Sequence, residues 1–198
     1  MATYIFNKVA GEASEAGYTA GEEDARSWLR RTSGRINTVN MQRELTNREN
    51  AYSRLTRTDI GRLYMFKYDP KMKDKLPYYD MFPLVFIMDV FPGGFLGMNM
   101  HYLPVKLRAR LMDALYQIER NDAVRGGKKL RLRYALMNSV ASFKWFRPTV
   151  KRYLVNRVRS RFLFVPYEHW DIAMFLPTAR FRKAKQQQVW RDSRKKII

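Results

Sequence analysis

Residues 76–104 read LPYYDMFPLVFIMDVFPGGFLGMNMHYLP, and this stretch decides the fold. Phe82 to Phe91 is apolar except for Pro83 and Asp89, and Val85, Phe86, Ile87 and Val90 favour a strand. Pro92-Gly93-Gly94 supplies a fixed φ and then two residues free to take φ > 0, a strong turn signal. Phe95 to Tyr102 reads outward again as a second strand. The stretch therefore predicts a hairpin with one strand buried on both faces. Pro104 stands where the first residue of a helix belongs, ahead of a periodic pattern.

On the N-terminal side, LYMFKY (Leu63 to Tyr68) predicts a strand ended by Asp69-Pro70, and KMKDK (71–75) a polar loop. Three strands in succession make an antiparallel meander. Its expected core is Tyr64, Phe66, Phe82, Val85, Ile87, Phe91, Phe95, Leu96 and Met98. On the C-terminal side Leu107, Leu111, Leu115 and Ile118, widened by Met112 and Ala114, step at helical spacing. Gly126-Gly127 ends that helix. LRLRY (130–134) can be read as a short alternating strand or a helix start, and a helix through Ser142 is preferred. Thr149 is expected to cap a helix from Val150 to Arg161, with Val150, Tyr153, Leu154 and Val158 buried. Phe162 to Val165 is a short apolar run, and Pro166 begins a further amphipathic segment up to Pro177.

The fold class expected is α+β. A small antiparallel meander of three or so strands packs with C-terminal helices between two extended arms. The boundaries are an N-terminal arm over 1–60, a core domain over 61–177 and a basic tail over 178–198.

At 198 residues one domain with a real core is the default. With no cysteine, disulfides and thiolate metal sites are excluded. The start, MATYIFNKVAGE, lacks the pattern of a signal peptide, and apolar runs stop well short of the roughly 18–20 residues of a membrane span. A soluble protein is expected, with no membrane and no small-molecule partner. His101 and His169 are read as packed core residues rather than catalysts. Asp69, Asp80 and Asp89 flank strands, but Asp89 inside an apolar strand marks a bulge, an edge or a partner for a cation. No catalytic residue, cofactor or metal is expected, and the chain is read as not an enzyme.

Charge is the informative feature. Lys and Arg number 38 against 18 Asp and Glu, a net +20. Residues 63–104 carry four of each sign, while 105–165 carry sixteen basic residues against three acids. A merely solvated face mixes signs, so this segregation points to a polyanionic partner. Arginine predominates in the stretch 25–62 and in 147–161, and guanidinium suits bidentate contact with phosphate or carboxylate. The expected binding residues are Arg26, Arg30, Arg31 and Arg35 on the arm, with Lys151, Arg152, Arg157, Arg159 and Arg161 on the predicted helix. Trp145 and Phe146 are candidates for stacking on bases, although packing against the sheet is the more ordinary role for such residues.

The run from Tyr64 (YMFKYDPKMKDKLPYYDMFPLVFIMDVFPGGFLGMNMHYLPVKLRARLMDALY), FRPTVKRYL (146–154), RSRFLFVPYEHWDIAMFLPTARF (159–181) and VWRDSR (189–194) resembles the DNA end protector family of T-even-type contractile-tailed bacteriophages. The resemblance spans roughly residues 60–194. It implies a non-enzymatic virion protein, assembled in the host cytoplasm, that binds the ends of packaged double-stranded DNA and shields them from exonuclease. Sequence-independent phosphate contacts would suffice, since no base-reading motif is present. The alternative is a structural protein of the baseplate, neck or tail hub whose arms tie neighbouring virion subunits together, with acidic protein surfaces as the polyanion.

Overall fold

The computed structural model describes residues 11–17, 27–28, 51–143, 146–175 and 181–195. Eight strands form: β1 (Ala51–Tyr52), β2 (Leu63–Met65), β3 (Tyr79–Asp80), β4 (Leu84–Phe91), β5 (Gly94–Asn99), β6 (Val150–Leu154), β7 (Phe162–Val165) and β8 (Phe181–Arg182). Among the described residues, the helices that accompany them are α1 (Val105–Arg120), α2 (Gly127–Ser142), α3 (Trp170–Phe175) and α4 (Gln186–Lys195), apart from helical residues at 11–15 and 27–28. Six strands make one antiparallel sheet in the order β1-β7-β2-β4-β5-β6, and β3 pairs with β8 in a separate ribbon.

The expected meander is β2-β4-β5, at the centre of the sheet. Leu63, Met65, Leu84, Phe86, Met88 and Met98 point to one buried face, while Tyr64, Phe66, Val85, Ile87 and Phe95 point to the other. Both parities of these strands are apolar because both faces are covered. Of the expected core residues, only Phe91 and Leu96 are not fully enclosed. The hairpin turns at Gly93, whose φ of +79° suits glycine. β4 bulges between Ile87 and Asp89. The bulge turns Asp89 outward, where its own Oδ1 accepts from the Val90 amide at 2.8 Å.

Beyond the meander the sheet is larger than expected. The predicted helix from Val150 to Arg161 does not form. Residues 150–154 are β6, paired along β5 from Gly94↔Leu154 to Met98↔Val150, and the chain then crosses to β7 through a 3-10 turn at Val155–Arg157. The apolar spacing 150/153/154/158 fits a helix, but Tyr153 stacks on Phe95 with ring centroids 5.1 Å apart, so the tertiary partner overrides the local pattern. Thr149 caps no helix; it is buried and its hydroxyl donates to Phe146 O at 2.6 Å.

The helical layer covers the first face. Leu111, Met112, Leu115 and Tyr116 of α1, Met137 of α2 and Trp170, Ile172, Ala173 and Met174 of α3 join that core. Pro104 is the residue before α1 rather than its first member. The opposite face curls on itself. Phe95 of β5 and Phe162 of β7 lie three strands apart in the sheet, about 14 Å if it were flat, yet their ring centroids are 5.6 Å apart. Phe66 sits between them, 5.5 Å from Phe95 and 5.2 Å from Phe162.

Both expected arms contribute to this body. Residues 51–60 supply β1, buried Leu55 and a 3-10 turn whose Asp59 accepts from Tyr64 Oη at 2.5 Å. The C-terminal residues are not extended. They form β8 and α4, with Val189 fully buried.

Candidate nucleic-acid interface

A buried polar network links the sheet to the C-terminal helix. Asp80 comes from β3, Asn99 from the end of β5, His101 from the 3-10 turn that follows, and Tyr153 from β6. Asp80 Oδ1 accepts from the Phe82 amide at 3.0 Å, and its Oδ2 takes Asn99 Nδ2 at 3.0 Å and His101 Nδ1 at 2.7 Å. Burial alone would raise the Asp80 pKa, but His101, Asn99 and the Phe82 amide together hold it below the usual carboxylate range. Burial pushes the His101 pKa down against the pull of Asp80. The His101 ring donates from Nδ1 to the Asp80 carboxylate. Asn99 Nδ2 also donates to Tyr153 Oη at 3.1 Å.

Behind this network Arg108 of α1 is 2% exposed. It donates to Leu103 O at 2.8 Å, His101 O at 3.2 Å and Met174 O at 3.3 Å. Trp190 of α4 covers it, 5.7 Å from guanidinium to ring centroid, and donates its indole N–H to His101 O at 2.9 Å.

On the solvent side of the network a pocket of about 250 Å³ opens, lined by Tyr68, Tyr78, Tyr79, Tyr102 and Tyr153 with Lys151 and Arg152 beside them. Lys151 Nζ lies 4.2 Å from the centroid of the Tyr102 ring, a cation–π contact. Burial raises the pKa of Tyr68, Tyr78, Tyr102 and Tyr153, so all four phenols stay protonated at neutral pH. Phe181 of β8 backs the wall, edge-on to Tyr102 at 5.0 Å. The outer wall is the loop 70–77, and Lys183 holds it: its Nζ donates to the carbonyls of Lys73, Asp74 and Leu76 at 2.7, 3.0 and 3.1 Å. Lys183 does so from a φ of +68°, the sole non-glycine positive φ among the described residues.

The structure distributes the expected binding residues differently from a single helical face. Lys151 and Arg152 are neighbours on β6, so they leave opposite faces of the strand. Lys151 enters the pocket, and Arg152 lies 4.8 Å over Phe91. Arg157 and Arg159 flank Val158, which bridges to Tyr68 of the pocket wall. Arg159 is 3.9 Å from Asp69, and Arg161 is exposed. Among the described residues Arg152, Arg157 and Arg161 form no ion pair. Phe146 is partly buried against the helical core. It lines a second, more open groove of about 1030 Å³ with Leu107, Val140, Phe143 and Trp190, edged by Arg110 and Arg194. Arg26, Arg30, Arg31, Arg35 and Trp145 lie outside the described residues.

Tyr153 was read from the sequence as a core member of the 150–161 segment; Tyr68, Tyr78, Tyr79, Tyr102 and Lys183 were not singled out as binding residues. They come from segments far apart in the chain, and the Tyr78-Tyr79 doublet between prolines and Asp80 was the one local hint. Among the described residues no group of three or more His, Asp or Glu is placed to hold a metal ion. No helix there is long and apolar enough to cross a membrane.

Residues 37–194 match the family described as Phage T4 terminal DNA protecting protein. The chain belongs to that family. No curated protein and no solved structure matches it. The match takes in every described strand and nearly all of α4. In this terminal DNA protecting family member, both the tyrosine pocket and the cations beside it therefore lie within the matched region.

Proposed function

We propose that this chain binds the ends of phage genomic DNA in the virion, without catalysis, and shields them from nucleases. The grip is made by phosphate contacts that read no sequence, from Lys151, Arg152, Arg157, Arg159 and Arg161, with Arg26, Arg30, Arg31 and Arg35 reaching further along the backbone. One observation carries this reading in a family described by terminal DNA protection. Among the described residues the guanidinium groups of Arg152, Arg157 and Arg161 form no ion pair, in a chain of net charge +20. Backbone-directed cations give affinity that is independent of base identity and steeply dependent on salt.

The test is retention of linear duplex by the full chain, compared with closed circular duplex of the same sequence, from 50 to 200 mM salt. Tight binding of the linear form that falls by orders of magnitude over that range supports the proposal. Absence of binding at 50 mM overturns it. A second reading, a structural tie between virion subunits, is favoured by the open groove beside Phe143, which is 58% exposed. Loss of duplex binding together with capture of another virion protein would select it.

A further inference from the structure

Phosphate contacts alone leave the tyrosine pocket without a role. We propose that the pocket receives one unpaired nucleobase at the terminus of a DNA strand, with the adjoining phosphate held by Lys151. This rests on the DNA-end reading above and adds how an end differs from the duplex interior.

Four observations argue for that guest. The volume, about 250 Å³, is below the roughly 300 Å³ at which sites for drug-sized ligands begin, and suits one small ring system. The lining is aromatic, and stacking on tyrosine accepts any base because every base has a π-face. Lys151 already fills the cation position over Tyr102 and favours a guest that brings an anion, while the Asp80 carboxylate that also lines the pocket is engaged by Asn99, His101 and the Phe82 amide. Asn99 donates to Tyr153 Oη, which leaves the phenol its own proton to donate, and every nucleobase carries a ring-nitrogen or carbonyl acceptor.

The pocket is also built rigidly. Lys183 clamps its outer loop through three carbonyls, and β3 is held by β8. Arg157 and Arg159 stand on either side of the residue that bridges Tyr68, so the cations of the phosphate set flank the same wall. Entry requires a base that is out of the stack. Within a duplex this costs a few kcal/mol of unpairing, and it costs least where a base is already single-stranded. The pocket therefore discriminates ends without reading sequence.

The test uses the full chain and a duplex closed by a hairpin at one end, with a one-nucleotide overhang at the other. The overhang carries 2-aminopurine, at the 3′ or the 5′ terminus, and a matched duplex carries an abasic residue there. Quenching of the terminal fluorophore is expected at one of the two termini. The base-bearing overhang should bind roughly tenfold tighter than the abasic one. Tyr78→Leu, at a partly exposed position, should lose that preference while keeping salt-dependent binding to closed circular duplex, and Lys151→Gln should lose it while weakening binding to every duplex by one phosphate contact. Equal affinity for base-bearing and abasic ends by the wild-type chain overturns the pocket and leaves the DNA-binding reading standing. So does a wild-type preference in both variants. Failure to bind any duplex at 50 mM salt overturns both.

Discussion

Arg108 is a buried cation whose three described hydrogen bonds all run to main-chain carbonyls. Burial lowers its pKa to about 10, so it remains charged at neutral pH. It ties the loop after β5, the end of α3 and, through Trp190, the helix α4 to one point. Arg108→Met keeps the length of the side chain and strands those carbonyls. The expected loss is on the order of 3 kcal/mol, measured by urea unfolding of the full chain. His101 gives a pH dependence at the same scale. In the unfolded chain it takes up a proton near pH 6.5, whereas burial holds the folded imidazole neutral to lower pH. The unfolded state then binds more protons, and stability falls as pH drops below about 6.5. His169 is shifted in the same direction by its own burial. A Tm series from pH 7.5 to 5 should therefore slope downward, less so in His101→Gln, and run nearly flat over the histidine range in the variant with both histidines replaced.

The elements that were legible in the sequence are those whose partners lie close along the chain. β2, β4 and β5 are apolar in both parities and follow one another in the chain, β4 and β5 through a tight turn, so local pattern suffices. α1 follows from periodicity and a leading proline, whereas α2 was only preferred over a short strand at 130–134, and Gly126-Gly127, read as the end of the first helix, opens the second. β6 was illegible because its partner is β5, on the far side of two helices, and because its cations at 151 and 152 resembled the polar face of a helix. Within the meander, β5 leaves room for β4. A Cβ at Gly97 would come within 2.2 Å of Val85 Cγ1, and Gly97 pairs with Lys151. Gly97→Val should cost about 2 kcal/mol or more through overpacking, visible as a lowered Tm with an unchanged denaturant slope. The pocket was equally hidden, because four separated segments build it. Its clamp can be tested directly. Lys183→Met should speed tryptic cleavage after Lys73 and Lys75, since local opening of the loop 70–77 then no longer breaks three hydrogen bonds; cleavage as slow as in the wild type would deny the clamp.

At the scale of the whole molecule the sequence reading was strongest in sign and weakest in placement. The sequence predicted a neutral segment over 63–104 and surplus positive charge over 105–165, a basic segment that also supplies β6 and β7 of the sheet, and the family match agrees with the resemblance found over roughly 60–194. Placement failed because a helix would have put the set 151–161 on one cylinder, whereas a strand and a crossover spread it along the border of the pocket. Replacing Arg152, Arg157, Arg159 and Arg161 together with Gln should leave Tm nearly unchanged, since none is buried. It should also flatten the slope of log affinity against log salt by about 3 to 4 on duplex DNA. An unaltered slope would remove these four from the interface.

The sheet order β1-β7-β2-β4-β5-β6 has a consequence for how the chain is made. β7 lies between two strands that leave the ribosome long before it, and Ala51 finds its neighbour only at Leu163. A nascent polypeptide halted ahead of Phe162 has β1 without a partner and one edge of β2 bare, open to pairing with other chains. The pocket waits longer still, until Phe181 and Lys183 emerge to close its wall. Translation thus completes the pocket only once Lys183 has emerged, and stop codons ahead of it should yield aggregates rather than a folded sheet with an open pocket.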